Sequence, residues 1–280
     1  MDLPDDVSLP FFAYGLFRPG QIAYFQIADY VCEIINGSKA KGELRIRDGL
    51  PIMDVDGNGT VEGAIISFKE GAAAEAYKRI AGLEPDKQYR WATLTINGAV
   101  MNILLGRSPR KGSISLAETD EKDWDGWEDP LFTAALDVVQ ETIDSNIESK
   151  WDLKPLFRLQ MAYLLLWSSI ERYVSLRYHL AQDATEKVSK LYDEAAFSSA
   201  VHEHVSERRH VIRADEPQDK IVLDPNSPKS AVAYYYGVRC NITHRGKGVH
   251  RDHETLLKSA TELLAIFRAV LERAKMDALA

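Results

Sequence analysis

Arg239 and His244, with four residues between them, are the pair of side chains in this sequence that best suits chemistry on a phosphate. Arginine presents a fixed fork of donors to phosphate oxygens. Histidine titrates near neutral pH, so it can remove a proton from a hydroxyl group and return one to a leaving oxygen. A ribonuclease is therefore the first hypothesis. The same pair could instead bind the last carbonyl groups of a surface helix and complement its dipole.

The sequence around this pair predicts a helical C-terminal part. Asp129-Pro130 supplies an N-cap and a first-turn proline, as Ser227-Pro228 does for the helix that carries Arg239. Apolar spacing predicts the other helices over 131–147, 156–180, 186–207 and about 252–276. The polar segment 214–226 predicts a loop.

The first hundred residues predict strands and turns interrupted by two helices, over 23–35 and 72–82. Asn97-Gly98 is a strong signal for a hairpin turn. The polar, aperiodic stretch that follows predicts a linker. We therefore expect an α+β protein with a first domain over 1–107, a linker over 108–128 and a helical domain over 129–280.

Composition excludes several classes of protein. A hydrophobic share of 45% and a charged share of 27% are ordinary for a soluble globule, and no apolar run approaches the ~18–20 residues of a membrane span. The acidic start has no export signal, which favours a cytoplasmic location and no membrane partner. Cys32 and Cys240 lack the spacing of a disulfide framework or a zinc site.

Charge is distributed unevenly along the chain. Residues 1–150 contain 15 basic and 25 acidic side chains, whereas residues 151–280 contain 19 and 17. The basic residues of the second part cluster, which is compatible with a local phosphate-binding patch. The histidines at 202, 204, 250 and 253 have no third ligand nearby, so we expect no metal and no cofactor.

The helical part resembles the HEPN superfamily over about 130–280. Residues 236–246, Tyr-Gly-Val-Arg-Cys-Asn-Ile-Thr-His-Arg-Gly, are similar to its Arg-x4-His signature, and residues 167–173 to its long core helix. The resemblance implies metal-independent RNA cleavage, in which a ribose 2′-hydroxyl attacks the adjacent phosphate. His244 would be the acid or base, Arg239 would stabilise charge on the phosphate, and Glu171 would orient one of them.

The same resemblance implies RNA contacts from Asn241, Arg245 and Lys247, and a homodimer formed through the helical domain. Analogy with the superfamily also suggests a role in stress or defence. On a straight helix Arg239 and His244 differ by about 140° in azimuth. The two side chains therefore meet only if the helix unwinds before His244, and the glycines at 246 and 248 favour that unwinding.

Residues 12–20, Phe-Ala-Tyr-Gly-Leu-Phe-Arg-Pro-Gly, resemble the opening of the γ-glutamyl cyclotransferase-like fold, and further landmarks follow in order to residue 106. The resemblance implies a mixed β-barrel, in which Glu84 is the catalytic carboxylate that shuttles a proton. A base of this kind needs a raised pKa, which burial would provide. The implied ligand-binding residues are Tyr14, Gly15, Leu16, Phe17 and Tyr89. Pro85 departs from the glycine usual after the glutamate.

Three functions remain open from the sequence. The preferred one is a HEPN-type endoribonuclease whose first domain senses or modifies a small γ-glutamyl or amino-containing ligand. The second is a cyclotransferase that releases 5-oxoproline, with the all-α helical bundle as dimerisation scaffold. The third is a non-catalytic module that binds RNA or a ligand.

Overall fold

The structure is a computed structural model of the chain. It describes residues 1–118, 123–149, 151–178, 184–213, 216, 218–245 and 252–279, with only the backbone described at 184, 185, 244 and 245. The chain divides into two compact units. Unit 1 comprises Met1–Asp129, Leu176–Ala181 and Asp277–Ala280, and unit 2 comprises Pro130–Ser175 and Gln182–Met276.

Unit 1 is built mainly from two sheets and one α-helix. Its strands are β1 (Phe11–Ala13), β2 (Val31–Lys41), β3 (Glu43–Arg47), β4 (Leu50–Asp54), β5 (Thr60–Phe68), β6 (Tyr89–Ile96), β7 (Ala99–Gly106) and β8 (Ile114–Ser115), and α1 spans Ala73–Leu83. One sheet has the order β2-β5-β1-β7-β6 and the other the order β4-β3-β8. Strand β1 lies at the centre of the larger sheet, antiparallel to β5 and parallel to β7.

The core of unit 1 forms around the larger sheet. Strand β1 is buried along its whole length, which is typical of a central strand covered on both faces. Phe12, Ile65 and Ile103 pack there in one apolar cluster from three neighbouring strands. This central position of β1 places the segment that follows it, from Tyr14 onward, at the edge of the core.

The predicted β-barrel is not closed within the described residues. The outer strands of the larger sheet, β2 and β6, each pair on one side only, and β3, β4 and β8 form a separate sheet. A barrel requires every strand to be paired on both sides. The architecture of unit 1 is therefore two open sheets with a helix, within an α+β protein.

The predicted helix over 23–35 was wrong. The structure has two short 3-10 helices, Tyr24–Gln26 and Ala28–Tyr30, followed by β2. The β-branched residues Val31, Ile34 and Ile35 pair with β5, and the register shifts between Ile35 and Ser38. The apolar residues of this segment have helical spacing, but it forms a strand because pairing with a distant strand satisfies its backbone hydrogen bonds.

The hairpin predicted at Asn97-Gly98 is confirmed. Strands β6 and β7 pair antiparallel up to Ile96 and Ala99. Asn97 and Gly98 have φ values of 53° and 84°, the left-handed conformation that a two-residue hairpin turn of this type needs at both positions.

The segment 108–128, for which the sequence predicts a linker, contains ordered structure in its described residues. It includes β8, and two tryptophans are buried near its end. The indole N–H of Trp124 donates to the carbonyl of Gly49 at 3.1 Å, and that of Trp127 to the carbonyl of Gly20 at 2.9 Å. Buried tryptophans usually find such a partner, and these bonds join the described part of the segment to earlier turns of unit 1.

Unit 2 contains most of the remaining helices and one hairpin. The elements are α2 (Ala134–Asp144), α3 (Lys154–Tyr178), α4 (Ala184–Ser189), α5 (Ala195–His204), β9 (Arg209–Ile212), β10 (Lys220–Leu223), α6 (Pro228–Arg245) and α7 (His253–Leu279). The final residues of α3 and α7 belong to unit 1. Among the described residues, no helix has a stretch long and apolar enough to cross a membrane.

The expected all-α bundle was wrong, because unit 2 contains the antiparallel pair β9–β10. Four of the thirteen residues of the predicted loop over 214–226, Lys220–Leu223, are therefore strand. The predicted helix over 186–207 is also interrupted, since Glu194 has the extended values φ −82° and ψ 124° between α4 and α5. The hairpin approaches α6 closely, and a Cβ added at Gly237 would lie 2.6 Å from Cδ1 of Ile221.

A polar network links the hairpin of unit 2 to its helices. Arg209 of β9 forms a two-pronged ion pair with Glu262 of α7, and its Nε donates to the hydroxyl of Tyr234 at 3.1 Å. The hydroxyl of Tyr235 donates to the same carboxylate at 3.0 Å. Both tyrosines are fully buried, so they belong to the core rather than to a surface that stacks on bases.

Candidate functional site

Glu84 lies at the end of α1 because of the residue that follows it. A proline restricts the preceding residue to extended backbone. Glu84 accordingly has φ −86° and ψ 135°, although its amide still bonds the carbonyl of Ile80 in the last turn of α1. Pro85, which stands where a glycine is usual after the glutamate, therefore changes the local structure. It ends the helix at Leu83, and the residue Glu84 is only 8% exposed.

A small cavity beside Glu84 brings together all the residues that the sequence analysis predicts to bind a ligand in the first domain. Its lining includes Tyr14, Gly15, Leu16, Phe17 and Tyr89. Tyr14 follows β1 and Tyr89 begins β6, and these strands flank β7 in one sheet. The volume is about 20 Å³, which is room for about one water molecule.

The carboxyl group of Glu84 is electrostatically unusual. Its Oε2 atom is buried and has no hydrogen-bond partner. Burial raises the pKa of Glu84 to about 8, because removal from water disfavours the charged form. A carboxyl group with this pKa exchanges its proton near neutral pH, as a general acid or base must.

Two tyrosine hydroxyls fix the walls of the cavity. The hydroxyl of Tyr14 donates to the carbonyl of Leu104 at 2.6 Å and accepts from the amide of Met53 at 3.3 Å. Tyr89 donates to the carbonyl of Pro51 at 2.7 Å. Burial, and then the charge of Glu84, raise the pKa of Tyr14 well above its usual range, so this hydroxyl keeps its proton.

The loop after β1 offers main-chain donors. The carbonyl of Gly15 accepts from the amide of Arg18 at 2.9 Å, and the carbonyl of Leu16 from that of Ala23 at 3.1 Å. The amides of Gly15, Leu16 and Phe17 take part in none of the hydrogen bonds among the described residues. Successive amides of this kind can bind an anion such as a carboxylate.

Gly15→Ala is expected to destabilise unit 1 by about 1–3 kcal/mol, the usual effect of overpacking. A Cβ at this position would lie 2.6 Å from Cγ of Pro51, so one of the two elements must move. Denaturant unfolding measures the change. Gly82→Ala is the control, because a Cβ there meets nothing within 4 Å in the last turn of α1, and we expect a gain of about 0.5–1 kcal/mol. Equal effects of the two substitutions would contradict this packing argument.

In unit 2, the side chains of Arg239 and Glu171 lie at opposite ends of a small aromatic cluster. The indole N–H of Trp167 donates to Oε1 of Glu171 at 2.8 Å. The rings of Trp167 and Tyr236 are 5.7 Å apart, and the guanidinium carbon of Arg239 lies 5.9 Å from the Tyr236 ring. The HEPN resemblance implied roles for the two charged residues but none for Trp167 and Tyr236. Their positions in the sequence could have revealed these contacts, because each aromatic residue lies three or four positions before a charged residue on the same helix.

The helix does not unwind before His244, as a meeting of Arg239 and His244 would require, because α6 remains helical through Arg245. Arg239 and His244 therefore occupy positions that differ by about 140° in azimuth on a continuous helix. The side chains of His244 and Arg245 lie outside the described residues, as do Lys247 and the two glycines. The third residue expected to bind RNA, Asn241, is buried and donates to the carbonyl of Ile212 at 3.0 Å.

The described residues contain no group of three or more His, Cys, Asp or Glu side chains that could hold a metal ion. Of the histidines considered as ligands, His253 is buried and lies within hydrogen-bond distance of Asn146, with 2.6 Å between Nε2 and Oδ1. His250 lies outside the described residues.

Comparison with known proteins leaves the family of this chain open. No protein-family model matches the chain, and no curated protein matches it. Among solved structures, an uncharacterized protein of Pyrococcus horikoshii is similar to it, with 18% sequence identity and a TM-score of 0.32. That match covers 38% of this chain and 86% of the other chain.

Proposed function

We propose that unit 1 is an enzyme of the γ-glutamyl cyclotransferase type, with Glu84 as its proton-transfer group. The observation that carries the proposal is the buried Oε2 of Glu84, which has no partner and belongs to a carboxyl group whose pKa is raised to about 8. A buried polar atom without a hydrogen-bond partner destabilises a fold, and such atoms are often found at catalytic sites. The surrounding tyrosines and loop amides support the proposal further.

In the proposed reaction the free α-amine of a γ-glutamyl substrate attacks its own γ-carbonyl carbon. The new C–N bond closes 5-oxoproline, and the bond to the leaving amine breaks. Ionised Glu84 accepts the proton that the attacking nitrogen loses and donates it to the leaving amine, so the carboxylate is regenerated. The amides of Gly15, Leu16 and Phe17 bind the α-carboxylate of the substrate.

Entry of a substrate requires the cavity to open. A volume of about 20 Å³ is too small for a γ-glutamyl group. Pro51 forms part of the wall, beside Gly15, and its carbonyl is held by Tyr89. Movement of this proline away from Gly15 would widen the cavity next to Glu84. Sites of this kind often tighten or rearrange only around the substrate.

Incubation of the protein with γ-glutamyl dipeptides and γ-glutamyl amines tests the proposal, with 5-oxoproline measured by mass spectrometry. We expect release of 5-oxoproline at a rate that rises with pH up to about 8, because the active form is the ionised carboxylate. Binding of these compounds without turnover would instead favour a ligand-binding module. Failure both to bind and to turn over any of them would refute the proposal.

A second candidate function, ribonuclease activity of unit 2, is favoured by the aromatic cluster that joins Glu171 to Arg239. Tyr236, half-buried between Trp167 and Arg239, offers a ring beside a guanidinium group, an arrangement that can hold a base next to its phosphate. In this proposal Arg239 stabilises charge on the phosphate and His244 transfers the proton, with RNA as partner. The product is a cyclic phosphate.

Total RNA incubated in EDTA tests this second candidate. We expect cleavage by the wild-type protein, and loss of cleavage in both Arg239→Ala and His244→Ala. Arg158→Ala is the control, because it removes the same charge from an exposed position on α3. Intact RNA with the wild-type protein, or cleavage that survives both substitutions, would argue against a nuclease of this type. Glu84→Gln is expected to leave this assay unchanged.

Homodimerisation through the helical part is the remaining element of this proposal. Phe157 and Met161 lie one turn apart on α3, and their side chains are 48% and 71% exposed. Exposed apolar side chains at this spacing on a helix are compatible with a protein partner. Sedimentation of the wild-type protein, compared with Met161→Glu, would show whether this face takes part in a dimer.

A further inference from the structure

A cavity of about 330 Å³ lies in unit 2. It is bordered by the start of α3, strand β9, the C-terminal half of α6 and the start of α7. Its volume falls within the ~300–1,000 Å³ that is common for small-molecule sites. The cavity therefore has room for an organic ligand.

Asp252 places a carboxyl group in the lining of this cavity. Its Oδ2 atom is buried and has no hydrogen-bond partner, although the residue lines the cavity. Asp252 precedes α7, where aspartate often caps a helix through its side chain. It forms no such bond here, so capping does not account for the buried oxygen. A carboxylate oxygen only accepts hydrogen bonds, so it requires a donor from elsewhere.

The other residues around the cavity restrict what that donor can be. Among the described residues that line it there is no lysine or arginine, and Asp252 is the one carboxylate. Six of the eleven described lining residues are aliphatic, among them Leu156, Val238 and Leu256 from three different helices, and the rest are polar. A ligand that fits therefore combines an apolar body with a positively charged donor group.

We propose that this cavity binds a small cationic ligand, an amidine or amine on a flat apolar body, whose N–H groups bond the carboxylate of Asp252. An amidinium offers two parallel donors to a carboxylate, and such charge-assisted pairs are stronger than neutral hydrogen bonds. The aliphatic side chains of the lining cover the body of the ligand. The inference does not depend on the cyclotransferase or ribonuclease proposals, although Asn241, for which the HEPN resemblance implies an RNA contact, also lines the cavity.

Binding of benzamidine, benzamide and benzoate to the full-length protein tests the inference, because these three molecules share one ring and differ in charge. Saturation-transfer NMR suits ligands of this size. We expect benzamidine to bind at least ten times more tightly than benzamide, and benzoate not to bind. In Asp252→Asn, which keeps the shape and removes the charge, we expect affinity for benzamidine to fall at least tenfold, because a charge-assisted pair becomes a neutral one.

Glu254→Gln is the matched control, because it removes one carboxylate from an exposed position two residues away that does not line the cavity. It should keep the affinity of the wild-type protein. Thr255→Phe, which fills the mouth of the cavity from an exposed position, should abolish binding without disturbing the core. Circular dichroism checks that each variant is folded.

Three results would overturn the inference. They are no binding of benzamidine to the wild-type protein, equal binding of benzamidine and benzoate, and unchanged benzamidine affinity in folded Asp252→Asn. Results from the two proposed activities do not bear on it, since neither Asp252 nor Thr255 has been placed in those sites.

Discussion

Glu84→Gln is expected to reduce the release of 5-oxoproline by about 10²–10⁴-fold, the usual contribution of a positioned acid or base. The amide of glutamine has nearly the same shape as the protonated carboxyl group, but it cannot accept and return a proton. The loss should appear in kcat, because the proton moves in the transition state, while KM changes little. Steady-state rates with the best γ-glutamyl substrate measure both constants.

Glu75→Gln is the control for this prediction. Glu75 lies in the first turn of α1, is half-exposed and contacts Lys78 and Arg79. Replacing it removes the same charge from the same helix without touching the cavity, and activity should remain that of the wild-type protein. Full activity in Glu84→Gln would remove this residue from the reaction and leave its raised pKa as a purely structural feature.

The second large effect concerns the pH dependence of stability. The pKa of Glu84 rises from an ordinary value of 4.5 to about 8 in the folded protein. Between these values the folded state holds a proton that the unfolded state has released. The free energy of unfolding therefore falls as pH increases through this window, by at most about 1.4 kcal/mol per pH unit from this one group, and levels off above pH 8.

Comparison of the wild-type protein with Glu84→Gln isolates that contribution. Glutamine does not titrate, so the variant should gain stability relative to the wild-type protein from about pH 5 to about pH 8, by a few kcal/mol in total. Denaturant unfolding at a series of pH values measures the difference. Parallel curves for the two proteins would show that Glu84 is not buried as a protonated acid. Glu75→Gln should give a curve parallel to that of the wild-type protein.

Local signals in the sequence predicted several features that the structure contains. Asn97-Gly98 predicted the hairpin between β6 and β7, because the turn depends on the conformations that these two residues adopt without strain. The proline at 228 predicted the start of α6 for a similar local reason. The landmarks around Tyr14, Glu84 and Tyr89 predicted residues that do border one cavity. Their roles in a reaction stay predictions.

Predictions that depended on distant partners were less successful. Residues 31–35 have helical spacing but lie in β2, because β5 supplies hydrogen bonds to them. The segment 214–226 was expected as a loop, yet Lys220–Leu223 pairs with Arg209–Ile212. The secondary-structure propensity of a short segment contains no information about a strand that lies elsewhere in the chain.

The sequence by itself determined the α+β class, the turn at Asn97-Gly98, the start of α6 and several residues that border the Glu84 cavity, because those depend on nearby residues or on ordered landmarks. Only the tertiary structure decided the environment of each carboxyl group. Glu84 and Asp252 are two acids among 42 in the sequence, and nothing local distinguishes their buried oxygens from the exposed ones. Burial and missing partners arise from the packing of several distant elements around one atom, and that packing sets both the pKa of Glu84 and the ligand that Asp252 can accept.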